Sequence, residues 1–579
     1  MRAILLLSVC LEVIKPHEFA LAVTQPPSPI FIPMAEKRSS LPLTQELAQL
    51  DEKLVTTLVA RTNLLARAAA SRRSKNLGIT DPAQEKQLWQ VWRDSSAGEN
   101  LEPQLLKKIF HLSNNLAYAR VERNSSGEKP LCLFPRRKPV NIELDAPRDQ
   151  ILRSMMFFLG ATSSTPLTIA PFQSNDISLE LINALNLCGF NLNFQNRQCT
   201  TQPVPGWTMD NKILYAGQSK FHFYLLLCLS LGQVTRVKFT GSTKLKIHDV
   251  RPVQEILPQL GARLTIVEPH SNGLPVRVET SGQLPASITI PPGLSKKFIL
   301  ALAVAATTFK AGLSIRLHDS YWNSKLLRKG IFFLQQYLPE LQFEGINLII
   351  PPAPINLDVS RVDIPVDPLM SLYLLVLPFF ADGTVRLQGK WPEHLPYLQD
   401  VMDIVYEFGV RITVGPDQIT SRMGHRPKHL LIDVSSCQEY LPLILAMALG
   451  LKTKCSITLD TSREDAELAQ DLLENFGIGY SMESGVLHLG LPGVKKGTES
   501  PWRSPGPYWT LAGALISFTL PGICMANADN ISSAWPWFWK IFMNLPEPQN
   551  FIHPPRNDEP ADEPDHDKPK RKRIRITAD

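Results

Sequence analysis

VNIELDAPRDQILRSMMFFLGATSSTPLTI, residues 140–169, reads as a first strand and helix whose apolar run ends in a small, turn-forming stretch and gives way to another strand. The helix-to-strand part, Ser154–Ile169, has five counterparts: Phe221–Thr240, Lys297–Leu317, Leu369–Gln388, Tyr440–Leu459 and Leu511–Ala526. Their starts lie about 70 residues apart, and recurrence at a fixed period signals a repeated structural unit. Second helices ending in glycine fill several gaps: Leu181–Gly189 before FNLNF, Val253–Gly261 before ARLTI, Leu398–Gly409 before VRITV and Glu467–Gly477 before IGYSM. Glycine there serves as the helix C-cap. Each unit therefore reads as strand, helix, strand, helix and further strand. The period is too long for a solenoid of helix pairs, so the expected fold is a compact α/β protein built from six copies.

The chain has 579 residues, 44% hydrophobic and 20% charged, which is globular material for several domains. Its net charge of +6 owes much to KPKRKRIR, Lys568–Arg575. The body is close to neutral, so no nucleic-acid face is expected. The eight cysteines (10, 132, 188, 199, 228, 437, 455, 524) form no CxxC pair and read as buried free thiols in a reducing, cytoplasmic setting. No metal site and no cofactor are expected, and no run is apolar for a full bilayer crossing, so no membrane partner is expected. Residues 1–33 read as a signal-like or non-native leader, with Met34 as the alternative start. Residues 123–138 read as a linker, and the charged tail 548–579 as disordered.

Residues 34–122 read as a helical module. Leu47, Leu50, Leu54, Leu58 and Leu65 recur on one helical face. A break at Asn76–Asp81 places an aspartate N-cap before Pro82, and helices Ala83–Arg93 and Glu102–Val121 follow. Such a bundle would bury its leucine stripe best as a homodimer. LDEKL…LVAR…ASRR…DPAQEKQL resembles the all-helical chorismate mutase module. That module holds the carboxylates and ether oxygen of chorismate by electrostatic positioning. The resemblance implies a chorismate-like pocket with Arg61 and Arg72 as cations, Asp81 as a substrate hydroxyl partner and Glu85 as its neighbour. Thr44, Gln84, Ala117 and Val121 replace other polar positions of the module. The alternative is a docking or dimerisation module with Arg61 and Arg72 on a solvated face.

The six-unit body resembles the enolpyruvyl transferases, specifically the 5-enolpyruvylshikimate-3-phosphate (EPSP) synthase family. The resemblance rests on the unit order, on the stretch quoted first, and on FTGSTKLKIHDVRPVQEILPQLGARL (239–264) and PPGLSKKFILALAVAA (291–306). IPVDPLMSLYLLVLPFFADGTVRL (364–387) and SSAWPWFWKIF (532–542) add to it. It implies two similar domains of three units each, 147–357 and 139–146 plus 358–547, crossing near Ala146 and Leu357, with small-molecule substrates in the cleft between them. The implied chemistry transfers a carboxyvinyl group from phosphoenolpyruvate to shikimate 3-phosphate in aromatic amino acid biosynthesis. It needs lysines and arginines for the anionic groups and carboxylates for proton transfer.

By resemblance, Asp367 is the catalytic position, and Arg251, Ser295, Lys296, Lys297 and Tyr321 are substrate-binding. Elsewhere the family's polar positions hold Gln150-Ile151, Met155, Tyr215 to Gln218, Thr461 to Asp465, Tyr508-Trp509-Thr510 and Ser533. Of five cations expected around phosphoenolpyruvate, only Arg251 is in place. The expected function is a shikimate-pathway protein whose family reaction is weak or lost. Alternatives are a non-catalytic binding, regulatory or scaffolding protein beside pathway enzymes, a residual chorismate mutase, or a changed enzyme using Lys296 and Lys297. Each site position also has a plainer reading. Arg251 would bridge its loop, Tyr321 would pack, Asp367 would cap the helix begun by Pro368, and the two lysines would start a solvated helix.

Overall fold

A computed structural model describes residues 43–74, 81–96, parts of 106–117, and 130–546 apart from 137, 269–270, 322–323, 354–356, 393–395, 452, 454 and 491–500. The leader, most of the expected third helix and the charged tail lie outside the described residues. The chain divides into two compact units, residues 1–127 and 128–579.

In the first unit α1 (Leu43–Ser74) and α2 (Pro82–Ser95) are joined through Asp81, whose carboxylate accepts from the backbone N–H of Ala83 and Gln84. Leu65, Ala66, Ala69, Phe110 and Ala117 are buried. Trp89 and Trp92 pack on Phe110 at 5.6 and 5.4 Å. Leu47, Leu50 and Leu54, near the start of α1, remain 54%, 59% and 45% exposed.

The body opens with β1 (Leu131–Leu133) and β2 (Val140–Asp145). The first unit supplies β3 (Leu167–Ala170), β4 (Asn191–Gln195) and β5 (Gln198–Gln202). The second has β6 (Ile213–Tyr215), β7 (Val234–Thr240), β8 (Ala262–Ile266) and β9 (Val276–Ser281). The third has β10 (Ser287–Thr289), β11 (Leu313–Arg316), β12 (Gln342–Glu344) and β13 (Asn347–Ile350). After β14 (Arg361–Asp363) come β15 (Gly383–Gln388), β16 (Val410–Val414) and β17 (Gln418–Met423). The fifth has β18 (Leu430–Asp433), β19 (Cys455–Thr458), β20 (Tyr480–Glu483) and β21 (Val486–Leu489). The sixth shows β22 (Ile523–Met525).

Five four-stranded sheets share one plan, seen in β6-β7-β9-β8: a parallel pair, then two antiparallel neighbours. Two of these sheets exchange their first strand. β14 pairs parallel with β3, and β2 pairs parallel with β15. Gly383 makes the second exchange possible: at φ +96° its Cα sits so close to β2 that a Cβ would lie 2.3 Å from the Val140 carbonyl oxygen.

The exchange separates two hydrophobic cores. One runs from Leu152 to Ile364, and the other takes Leu133–Ala146 together with Val366–Leu545. The second crossing thus falls between Ile364 and Val366, not near Leu357. Leu357 is buried in the first core and β14 is still hydrogen-bonded to β3. The helices in these cores are apolar all round because they are covered on every side. They include α3 (Gln150–Thr162), α4 (Asp176–Leu187), α5 (Lys220–Ser230), α6 (Lys296–Ala306), α7 (Lys325–Gln335), α8 (Pro368–Leu375), α9 (Leu441–Leu451) and α10 (Pro507–Ile516). Of these eight, α4 and α7 keep a polar face, with Glu180 and Arg328 half-buried, and the helices Pro396–Glu407 and Glu464–Asn475 on the second core keep one too.

Two expectations change. The segment read as a linker contributes β1, which pairs antiparallel with β22. That register sets Cys132 opposite Cys524, Cα atoms 4.0 Å apart, and the two form a disulfide. Cys188, Cys199, Cys228, Cys437 and Cys455 are free and buried. Burial pushes their thiols up, to about 12 for Cys199 and Cys455. No helix among the described residues is long and apolar enough to cross a membrane.

Candidate active site

The two crossings are laced together. Asp149 N donates to Pro365 O at 3.1 Å, Asp367 N donates to Pro147 O at 2.7 Å, and Arg148 bridges antiparallel to Val366. Each aspartate then caps the first helix of its half. Asp149 Oδ1 accepts from Ile151 and Leu152 N–H at 2.9 and 3.0 Å, and Asp367 Oδ1 accepts from Met370 N–H at 3.0 Å. Lys329 of α7 reaches Asp149 Oδ2 at 2.5 Å. Arg153 is fully buried, donating to Gln173 O at 2.9 Å and Gln150 Oε1 at 3.0 Å. Arg148 is buried too, held by the carbonyls of Ile364 and Gln388.

Burial and the neighbouring Asp149 push the Asp367 carboxyl up to about 6, against the pull of Lys329 and two backbone N–H groups. A carboxyl raised on folding binds more protons folded than unfolded, so stability falls as pH climbs from about 4 to 6. Asp367→Asn, which keeps the cap, is expected to gain on the order of 1–3 kcal/mol at neutral pH and nothing below about pH 4. Urea melts across that range read the difference.

The remaining predicted residues gather around the start of α6. Ser295 is its N-cap residue and lies near the Tyr224 hydroxyl. Tyr321 is buried, and its hydroxyl lies 3.0 Å from the carbonyls of Pro291 and Leu294, anchoring the loop that presents Ser295. Lys296 is exposed. Lys297 is half-buried, its ammonium held down by burial and by the facing Lys220 and Lys329. Arg251 is forked onto its own neighbour, Nε to Asp249 Oδ1 at 2.9 Å and Nη2 to Oδ2 at 2.5 Å. His248 and the Tyr224 hydroxyl share a hydrogen bond of 2.6 Å, with Asp249 and Ser295 nearby.

Asp149, Lys220, His222 and Lys329 were not singled out from sequence, and Tyr508 entered there only as the occupant of a family position. His222 is buried on Ser154 Oγ at 2.8 Å, and burial with nearby Lys297 and Arg153 lowers it to about 3, so it is neutral. Tyr508 is half-buried facing both aspartates, and desolvation first and then their charges push its hydroxyl well up. Thr510 is spent on Ser504 Oγ and Asn530 Oδ1 at 2.8 and 2.6 Å, and Ser462 on Asp460 at 2.7 Å. Gln150 Oε1 also accepts from Asn175, which reaches Ala534 O in the other half at 3.0 Å. Lys325 Nζ likewise joins the halves through Glu439 Oε1 at 2.5 Å. A cavity of about 150 Å³ lies at the other ends of α3 and α6, lined by Thr162, Trp207, Thr307 and Leu357, a helix length from this chemistry.

In the helical unit Arg61 is held by Ser113 Oγ at 2.6 Å and Asn114 Oδ1 at 2.7 Å, with Trp92 and Phe110 rings 5.2 Å away. Arg72 pairs with Asp81 at 2.6 Å. Eleven residues of helix return to nearly the same face, so both arginines share one side of α1, roughly 16 Å apart. Glu85 follows on the first turn of α2, half-buried. Three of the four expected pocket residues are therefore tied up: Arg61 by side chains of the following segment, Arg72 and Asp81 by each other. Arg61→Ala is expected to cost the unit about 2–4 kcal/mol, since buried Ser113 and Asn114 lose a charged donor and the ring packing goes with it. A thermal melt of the helical signal measures this.

Four-stranded sheets of one repeated plan, exchanging strands at two crossings, define an enolpyruvyl transferase-type fold. A family model for EPSP synthase (3-phosphoshikimate 1-carboxyvinyltransferase) matches residues 143–463, more than half of the chain, which therefore belongs to that family. Residues 43–116 match the chorismate mutase type II model. The 3-phosphoshikimate 1-carboxyvinyltransferase of Syntrophobacter fumaroxidans is 21% identical over 353 residues, covering 59% of this chain and 82% of its own. That of Nitrosopumilus maritimus is 23% identical over 227 residues, covering 38% and 51%. Among solved structures, EPSP synthase from Acinetobacter baumannii aligns with a TM-score of 0.56 at 16% identity, covering 71% of this chain and 97% of that one. The enolpyruvyl transferase NikO from Streptomyces tendae gives 0.55 at 14%, covering 71% and 95%. These likenesses establish the fold.

Proposed function

We propose that the crevice at the crossings binds an anionic, hydroxylated ring ligand of the shikimate 3-phosphate type, and that carboxyvinyl transfer from phosphoenolpyruvate is weak or lost. Asp367, Ser295, Lys296, Lys297 and Tyr321 are the residues assigned to it, with Arg251 at its edge. The observation that carries this reading is where the cations go. Arg251 is matched by Asp249, Lys329 by Asp149, and Arg153 by carbonyls and Gln150. Among the described residues Lys220, Lys296 and Lys297 remain around the start of α6, enough to meet one oxyanion group. Phosphoenolpyruvate adds a second phosphate and a carboxylate. At about 1.5–3 kcal/mol per charge-assisted hydrogen bond, four missing partners equal the whole of a micromolar affinity.

Calorimetric titration tests this. Shikimate 3-phosphate is expected to bind saturably, and phosphoenolpyruvate and chorismate to give no binding below millimolar concentration. Micromolar phosphoenolpyruvate binding overturns it. A non-catalytic docking role for the helical unit has its own support: the exposed Leu47, Leu50 and Leu54 fit a homodimer through α1, and the cations of the mutase-like pocket are already engaged.

A further inference from the structure

The two crossings carry the same short motif. Asp145-Ala146-Pro147-Arg148-Asp149 leads into α3, and Asp363-Ile364-Pro365-Val366-Asp367 leads into α8, so Asp-x-Pro-x-Asp is written twice. In space the copies are partners. Their prolyl carbonyls accept from each other's terminal aspartate N–H, and both terminal aspartates cap helices. Asp149 is therefore the structural mate of Asp367 in the other half. Its side chain is only 3% exposed, whereas its ion-pair partner Lys329 is 20% exposed and Asp367 is half-buried. The groups facing Asp367 are Asp149 and Arg153 from α3, Lys329 from α7 and Tyr508 from α10. Its own helix contributes the backbone N–H groups of Leu369 and Met370.

We propose that Asp149 is a positioning residue for Asp367: it pins the Lys329 ammonium at the junction and sets a second negative charge behind Asp367, so that Asp367 exchanges a proton as ligand enters. When an oxyanion enters the crevice, the added negative charge favours the neutral carboxyl, and Asp367 takes one proton from solvent. Anion binding is then linked to proton uptake, and the linkage depends on a residue the ligand never touches. The raised carboxyl of Asp367, with Asp149 among its causes, agrees with this arrangement. The inference rests on the crevice being the ligand site, and two readouts separate the claims.

The first readout needs no ligand. Carboxyl-carbon NMR of the full chain labelled at aspartate, with Asp367→Asn to assign the resonance, is expected to show Asp367 titrating near pH 6. Asp149→Asn keeps the helix cap and is expected to lower that midpoint by about one unit, whereas Lys329→Met raises it. An unchanged midpoint in both variants overturns the proposal, as does a wild-type midpoint in the ordinary aspartate range. Should Asp149→Asn fail to fold, the Lys329→Met shift decides. The second readout is calorimetry with shikimate 3-phosphate near pH 6.5 in buffers of different ionisation enthalpy. Wild type is expected to take up protons on binding, a signal at least halved in Asp149→Asn. Binding with no proton uptake overturns the linkage. No binding at all overturns the ligand assignment while the NMR result still judges the pairing.

Discussion

Supplied with phosphoenolpyruvate and shikimate 3-phosphate, the purified protein is expected to release phosphate at least about ten-thousandfold more slowly than an intact family member. Removing one group that stabilises developing charge costs roughly a hundred- to a thousandfold in rate, and neighbouring losses do not simply multiply. Two independent losses are enough for the figure given. The positions in question are occupied by Gln150, Met155, Thr510 and Ser533, none able to carry positive charge. Thr510 is additionally locked into its own hydrogen bonds, and Arg153 sits buried and cannot turn outward without giving up its bonds to Gln173 O and Gln150 Oε1. A continuous phosphate-release assay decides the matter. Turnover near one per second would show that Lys220, Lys297 and Lys329 together replace the missing arginines.

Lys329→Ala is expected to lower stability by about 3–5 kcal/mol at pH 8, because it strands Asp149, 3% exposed, near Asp367 without its ammonium partner. The deficit should shrink toward pH 5, since Asp367 can then take a proton. Lys329→Met combined with Asp149→Asn should recover most of the loss, as removing both partners leaves no uncompensated charge. Urea denaturation at the two pH values measures all three. A loss under about 1 kcal/mol at pH 8 would place Lys329 among ordinary solvent-screened pairs.

The six apolar runs were legible because a buried helix announces itself by continuous hydrophobic residues and a following glycine, both local features. Gly189, Gly261, Gly409 and Gly477 all adopt positive φ at the helix ends where the pattern put them. Asp367 before Pro368 was legible as a cap for the same reason, and it is one. Asp149 was missed although its Asp-x-Pro-x-Asp copy stands in plain view, because a carboxylate's meaning depends on what faces it. Lys329 reads as one more cation on an amphipathic helix until α7 is laid beside α3.

What the sequence determined by itself was the repeat and the class of fold, both properties of residue type at short or regular spacing, while its resemblance to the EPSP synthase family implied the family and the shortage of cations at the expected positions. What the tertiary structure decided was pairing. It exchanged β2 and β14 between halves, moved the second crossing to Pro365, and brought Cys132 to Cys524 across a separation of 392 residues. It also turned Arg251 onto Asp249 and Arg61 onto Ser113 and Asn114. Such contacts follow from strand register and helix packing, where one position of slip reverses a side chain's direction, and nothing in the local sequence records the outcome.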